Sequence, residues 1–97
     1  MSKWNSKTMD PWIKAKLSPQ AQIAYYEGGT QRVESLIEVR GTANQDRLKH
    51  GIAAAGGRIV GAQSAGSTIV VEIPANRLDH LAALPDVVFV ETQNDLA

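Results

Sequence analysis

The chain has 97 residues, with ten lysines and arginines balanced by ten aspartates and glutamates, no cysteine, and 43% apolar residues. That length allows one domain with a modest core, and the cancelled charge supplies no bulk field toward nucleic acid or anionic lipid. Without cysteine there is no disulfide framework, thiolate nucleophile or cysteine zinc site.

The first residues, MSKWNSKTMDPWIK, hold lysines but no apolar run of signal-peptide length, and no segment is long enough to span a bilayer. The expectation is a cytoplasmic chain, or a secreted one where a signal has been removed, with no membrane partner. Residues 1–32 read as a helical extension that carries both tryptophans and both tyrosines. Asp10-Pro11 places a capping residue before a proline at the first helical position, which predicts a short helix from Pro11 to about Leu17. Ser18-Pro19 repeats the signal and predicts a second helix through Tyr26, ended by Gly28-Gly29. Trp12, Ile13, Leu17, Ile23 and Tyr26 are the side chains expected to dock these turns on a larger body.

That body is read over residues 33–91. In VESLIEVR, Val33, Ile37 and Val39 share one parity while Glu34, Leu36, Glu38 and Arg40 share the other, as in a half-buried strand. After Gly41, Thr42 and Gln45 stand at capping-box spacing, and Leu48, Ile52 and Ala55 recur at helical intervals until Gly56-Gly57. Gly51 lies inside that helix at a cost of about 1 kcal/mol relative to alanine, so the helix depends on docking. Arg58 to Ala62 is a second strand, Ser64 to Ser67 a hairpin loop, and Thr68 to Ile73 a third strand. Pro74 is expected to open a second helix bearing Leu78, Leu81, Ala82 and Leu84. Pro85-Asp86 breaks it, Val87 to Glu91 is the fourth strand, and residues 92–97 form a polar tail.

The order β-α-β-β-α-β predicts a ferredoxin-like α+β fold, a four-stranded antiparallel sheet with both helices on one face. The other face is open, with Leu36, Val70 and Val88 expected on it. A contiguous apolar patch there points to a partner.

The residues that chemistry requires are scattered. His50 and His80 have no partner at metal-ligand spacing, and no two acidic residues stand at motif spacing. No lysine follows the glycines as a phosphate loop needs. Phe89 is the one aromatic in the sheet region, too few to stack RNA bases on the open face. The expectation is a protein that is not an enzyme, with no cofactor, no metal and no nucleic-acid partner.

Fold alone selects no function. The wording of the second half is more specific: Gly56-Gly57 entering the second strand, Leu78 and Leu81 in a short helix, then Pro85, Val87, Phe89, Val90 and Glu91. This order resembles the inhibitor I9 family, the propeptides of subtilisin-like serine proteases and the stand-alone inhibitors built on the same domain. The resemblance covers residues 33–93, and Met9 to Ile13 also looks like the lead-in to some bacterial prodomains. It implies an inhibitor or folding chaperone, monomeric when free, whose partner is a subtilisin-like serine protease. In that family the open sheet face packs on two protease helices, and carboxylates near the start of the tail cap their N-termini. Glu91 stands at the first such position and Gln93, uncharged, at the second. The family's tail lies in the substrate groove as an added strand. Here that tail comprises Glu91, Thr92, Gln93, Asn94, Asp95, Leu96 and Ala97, with Asn94 at the fourth specificity pocket and Ala97 at the first. The alternative is a non-catalytic regulatory or protein-interaction module on the same topology, either dimerising around a small molecule or anchoring a partner through its N-terminal tryptophans.

Overall fold

The computed structural model describes residues 9–41, 44–62 and 67–92. Alternation in the sequence becomes two-faced strands. Along β1 (Arg32–Val39), Ser35, Ile37 and Val39 are buried while Glu34 and Glu38 are exposed. In β3 (Thr68–Pro74), Val71 and Ile73 are buried in the same way. With β2 (Arg58–Ala62) and β4 (Val87–Thr92) they form one four-stranded sheet in the order β2-β3-β1-β4. All three neighbouring pairs run antiparallel. This is the ferredoxin-like α+β arrangement that the element order predicts, with β3 inserted between the two strands of the first crossover.

The helices cover one face. In α3 (Gln45–Ala54), Leu48 and Ile52 point into the core. Its cap is Asn44, whose Oδ1 accepts from the Arg47 backbone N–H at 2.9 Å, and Gln45 is the first helical residue. Thr42, the expected partner in a capping box, lies outside the described residues. Gly51 sits where α3 approaches the chain beyond α4 (Leu78–Ala82): a Cβ added there would come within 2.6 Å of Leu84 Cδ2. The glycine that weakens the helix therefore makes room for its docking. Gly56, at φ 90°, then turns the chain out of α3 in a conformation that side chains rarely adopt.

Pro74 does not open the second crossover helix. It is the last residue of β3, paired with Arg32, and a 3-10 turn over Ala75–Arg77 intervenes before α4. Its extended backbone, ψ 137°, keeps it in the strand. Leu78, Leu81 and Ala82 of α4 are fully buried, and each large apolar side chain buried in this way contributes about 1.5–3 kcal/mol.

The N-terminal turns belong to the same core. The first, α1 (Pro11–Lys14), stops short of the expected Leu17. The second, α2 (Pro19–Glu27), is capped by Ser18, whose Oγ accepts from the Ala21 N–H at 3.1 Å. It buries Ala21, Ala24 and Tyr25, whereas Ile23 and Tyr26 stay 48% and 42% exposed and Trp12 53%. Leu17 and Ile13 dock as expected, but Trp12 and the expected face of α2 do not, and for α2 the reason is steric. The end of α2 lies against the 3-10 turn so closely that a Cβ on Gly28 would sit 2.5 Å from Ala75 Cβ. The small residues Gly28 and Ala75 allow that approach. Leu17 is 3% exposed and forms a parallel bridge with Val90. There Ser18 N donates to Val90 O at 2.9 Å and Val90 N to Lys16 O at 2.7 Å. Residues 16–18 therefore cover the outer edge of β4, satisfying backbone groups that an edge strand leaves unpaired.

The turn that launches β4 is fixed by cations. Asp86 is 6% exposed, and its carboxylate accepts from Arg47 Nη2 at 2.8 Å and Nε at 3.2 Å. Arg40 Nε donates to Pro85 O at 3.1 Å, and Lys16 Nζ to Leu84 O at 3.4 Å. Burial, and secondarily the charge of Arg40, push the Lys16 ammonium below its ordinary pKa.

Candidate interaction surface

The uncovered face of the sheet is a small lattice whose rows follow from the strand registers. Arg58, Glu72 and Glu34 line up in one row, and Gly61, Val70, Leu36 and Glu91 in the next. Thr68, Glu38 and Phe89 make the third. Three apolar side chains, Val70, Leu36 and Phe89, thus run obliquely across a field of carboxylates. Gly61 contributes no side chain at the β2 end of the middle row, which leaves Val70 and Leu36 partly uncovered.

The charges on this face are not equivalent. Glu72 Oε1 accepts from Arg32 Nε at 3.3 Å and from Arg58 Nη2 at 3.0 Å. Glu34, Glu38 and Glu91 have no cationic partner among the described residues. Between Glu38 and Glu91 the surface sinks into a shallow depression of about 260 Å³, lined by Leu36, Ile37, Glu38, Thr68, Phe89 and Glu91.

The sequence-predicted site residues fall in three places. Leu36 and Val70 lie partly buried in the central row of this face. Val88 is 44% exposed where β4 shifts register against Glu38 and Val39, so that Val88 and Phe89 are both exposed in succession. Such a bulge breaks strict alternation. Glu91 is exposed beside Leu36. Thr92, read as the first tail residue, is instead the last of β4 and 2% exposed, its Oγ1 3.0 Å from Ser35 Oγ. The reason is pairing: Thr92 still has a partner, Ser35, on β1. Gln93, Asn94, Asp95, Leu96 and Ala97 lie outside the described residues.

Parity with Leu36 and Val70 puts Glu38 and Thr68 on this face from the sequence; the residue that sequence reasoning did not name there is Phe89, in whose place it named Val88. A signal for Phe89 was present. Glu91 must face water, and counting back two residues from it puts Phe89 on the same side.

Neither histidine joins a chemical cluster. His80 Nε2 is 3.9 Å from Asp79 Oδ1, and His50 is exposed on α3. Among the described residues no group of three or more His, Asp or Glu side chains is placed to hold a metal ion. What the surface offers is shape, apolar contact and unpaired carboxylates beside a strand whose register is held on both edges.

Over residues 18–93 the chain matches a family model described as "Putative peptidase inhibitor domain". No curated protein and no solved structure matches it. The matched span begins at Ser18, the cap of α2, and so includes the helix that packs into the core alongside α3 and α4.

Proposed function

The chain belongs to the peptidase inhibitor domain family, and we propose that it inhibits a subtilisin-like serine protease. In this reading the open sheet face docks on the enzyme, and the segment after Thr92 lies in the substrate groove as an added, product-like strand. The same contacts suit a folding chaperone, because a surface that binds only the folded protease stabilises it by mass action.

The observation that carries the reading is the state of β4. Its inner edge is laddered to β1 through Thr92, and its outer edge is bonded at Val90 by residues 16–18. A strand held on both sides fixes Thr92, the residue from which a bound segment would start, so that residue carries no ordering cost on binding. Beside it, Leu36, Val70 and Phe89 supply apolar contact, and Glu91 presents a carboxylate without an ion-pair partner among the described residues. A carboxylate so placed can give one oxygen to unpaired N–H groups at a helix N-terminus of the enzyme and keep the other for a further donor.

Truncation tests the mechanism. Assayed against several purified subtilisin-like proteases, the full chain is expected to inhibit at least one with an inhibition constant of about 1 μM or lower, some 8 kcal/mol of binding. Removal of Asn94 to Ala97 is expected to abolish inhibition. If the two forms are equally inert on every protease tried, the reading is lost.

A further inference from the structure

We propose that the depression between Glu38 and Glu91 is a seat for one arginine side chain projecting from the protease's docking surface. This rests on the inhibitor reading and deepens it, because it states a chemical property of the partner.

The argument begins with the lattice. Glu38 pairs with Phe89, and Leu36 with Glu91, so these four side chains mark the corners of one cell of the open face. The carboxylates occupy one diagonal and the apolar side chains the other. Diagonal neighbours on adjacent strands lie about 7–8 Å apart, which leaves room for one planar cation between the two acids. Leu36 and Phe89 give that cell an apolar lining, and Thr68 adds a hydroxyl acceptor at its rim.

Charge then selects the occupant. Glu72, on the same face, is neutralised by Arg32 and Arg58. Glu38 and Glu91 face each other across the depression with no cation supplied by the described residues. Two carboxylates without a cationic partner beside one apolar-lined depression favour a cation as its occupant. Arginine fits better than lysine: its flat guanidinium can stack on Phe89 while donating sideways to both carboxylates. A lysine ammonium would have to leave more of its hydration shell to reach the same two acceptors.

Two measurements on the full chain test the seat. In the first, amide resonances are followed by NMR during titration with N-acetyl-arginine amide and, separately, with the uncharged isostere N-acetyl-citrulline amide. Saturable shifts at Leu36, Glu38, Phe89 and Glu91 are expected with the arginine compound alone, and their loss in Glu38→Gln. No shift at these positions, or equal shifts with citrulline, overturns the proposal. In the second, Glu38→Gln is compared with the native chain on a protease that the native chain inhibits. Inhibition is expected to weaken about tenfold, with a flatter salt dependence, as for a charge pair at an interface. Unchanged inhibition and salt dependence overturn the seat and leave the inhibitor reading standing. Arginine binding by a chain that inhibits no protease supports the seat and removes the inhibitor reading.

Discussion

The two faces of the sheet are written by alternate residues of the same strands, yet they answer to different demands. On the covered face Ile37, Val39, Val71, Ile73, Val87 and Val90 are packed under the helices. The polar side chains of Ser35 and Thr92 on that face satisfy each other. On the open face Leu36, Val70 and Phe89 are spaced among Glu34, Glu38, Glu72 and Glu91. One face excludes water from apolar surface; the other holds carboxylates in water next to apolar surface that folding leaves uncovered. The core and the proposed docking face are therefore written one residue apart along a single strand.

The sharpest test uses neighbours in β1. Ile37 is fully buried, and Ile37→Ala is expected to lower stability in urea unfolding by about 2–5 kcal/mol through lost transfer energy and a residual cavity. Leu36→Ala, on the opposite face, should cost about 1 kcal/mol or less while weakening inhibition. Equal losses of stability at the two positions would erase the distinction between the faces.

A smaller effect probes the polar pair inside the covered face. Thr92→Val leaves the Ser35 hydroxyl buried without its partner, and a loss of about 1–3 kcal/mol is expected. Removing both hydroxyls in Ser35→Ala with Thr92→Val should bring stability back toward the native value, since no unsatisfied group remains. Strict additivity of the two single changes in a double-mutant cycle would show that the pair is not coupled.

The sequence discloses these two faces unevenly, and the unevenness has causes. The alternations around Ile37 and Val71 are strong because each strand buries one face only, so the β-α-β-β-α-β order and the ferredoxin-like topology are legible. The docked face of α2 is not. Close approach selects Ala21 and Ala24 there, and small side chains carry little periodic signal, while the larger Ile23 and Tyr26 are left outside. Nor is the pairing of Leu17 with Val90 visible, because backbone hydrogen bonds leave no mark on side-chain choice. On the open face, Leu36 and Val70 follow from parity. The bulge in β4 interrupts that parity at Val88, so the sequence points to Val88 while Phe89, two residues before Glu91, holds the place on the face. Glu38 and Glu91 look like ordinary solvated charges in one dimension, and only the strand register brings them around one depression.

The smallest effect concerns whether the N-terminal helix shares the covered face's dependence on burial. Tyr25 of α2 is 7% exposed, and its hydroxyl donates to Asp79 Oδ2 at 3.3 Å. Burial first, then the charge and hydrogen bond of Asp79, raise its pKa above the ordinary 10.0. A raised pKa means that the folded state holds the phenolic proton more tightly than the unfolded chain does. That contribution is complete below pH 10 and is lost as pH climbs through the raised value. Lys16 acts in the opposite sense: its pKa is lowered from 10.5, so its contribution grows as pH rises toward that value. Comparing Tyr25→Phe with the native chain cancels the lysine and isolates the tyrosine. The native chain should be more stable by about 0.5–1.5 kcal/mol at neutral pH, and the gap should narrow in unfolding curves measured above pH 10. A gap that stays constant to high pH would mean that Tyr25 meets solvent in the folded protein, and that α2 rests on the core without being sealed into it.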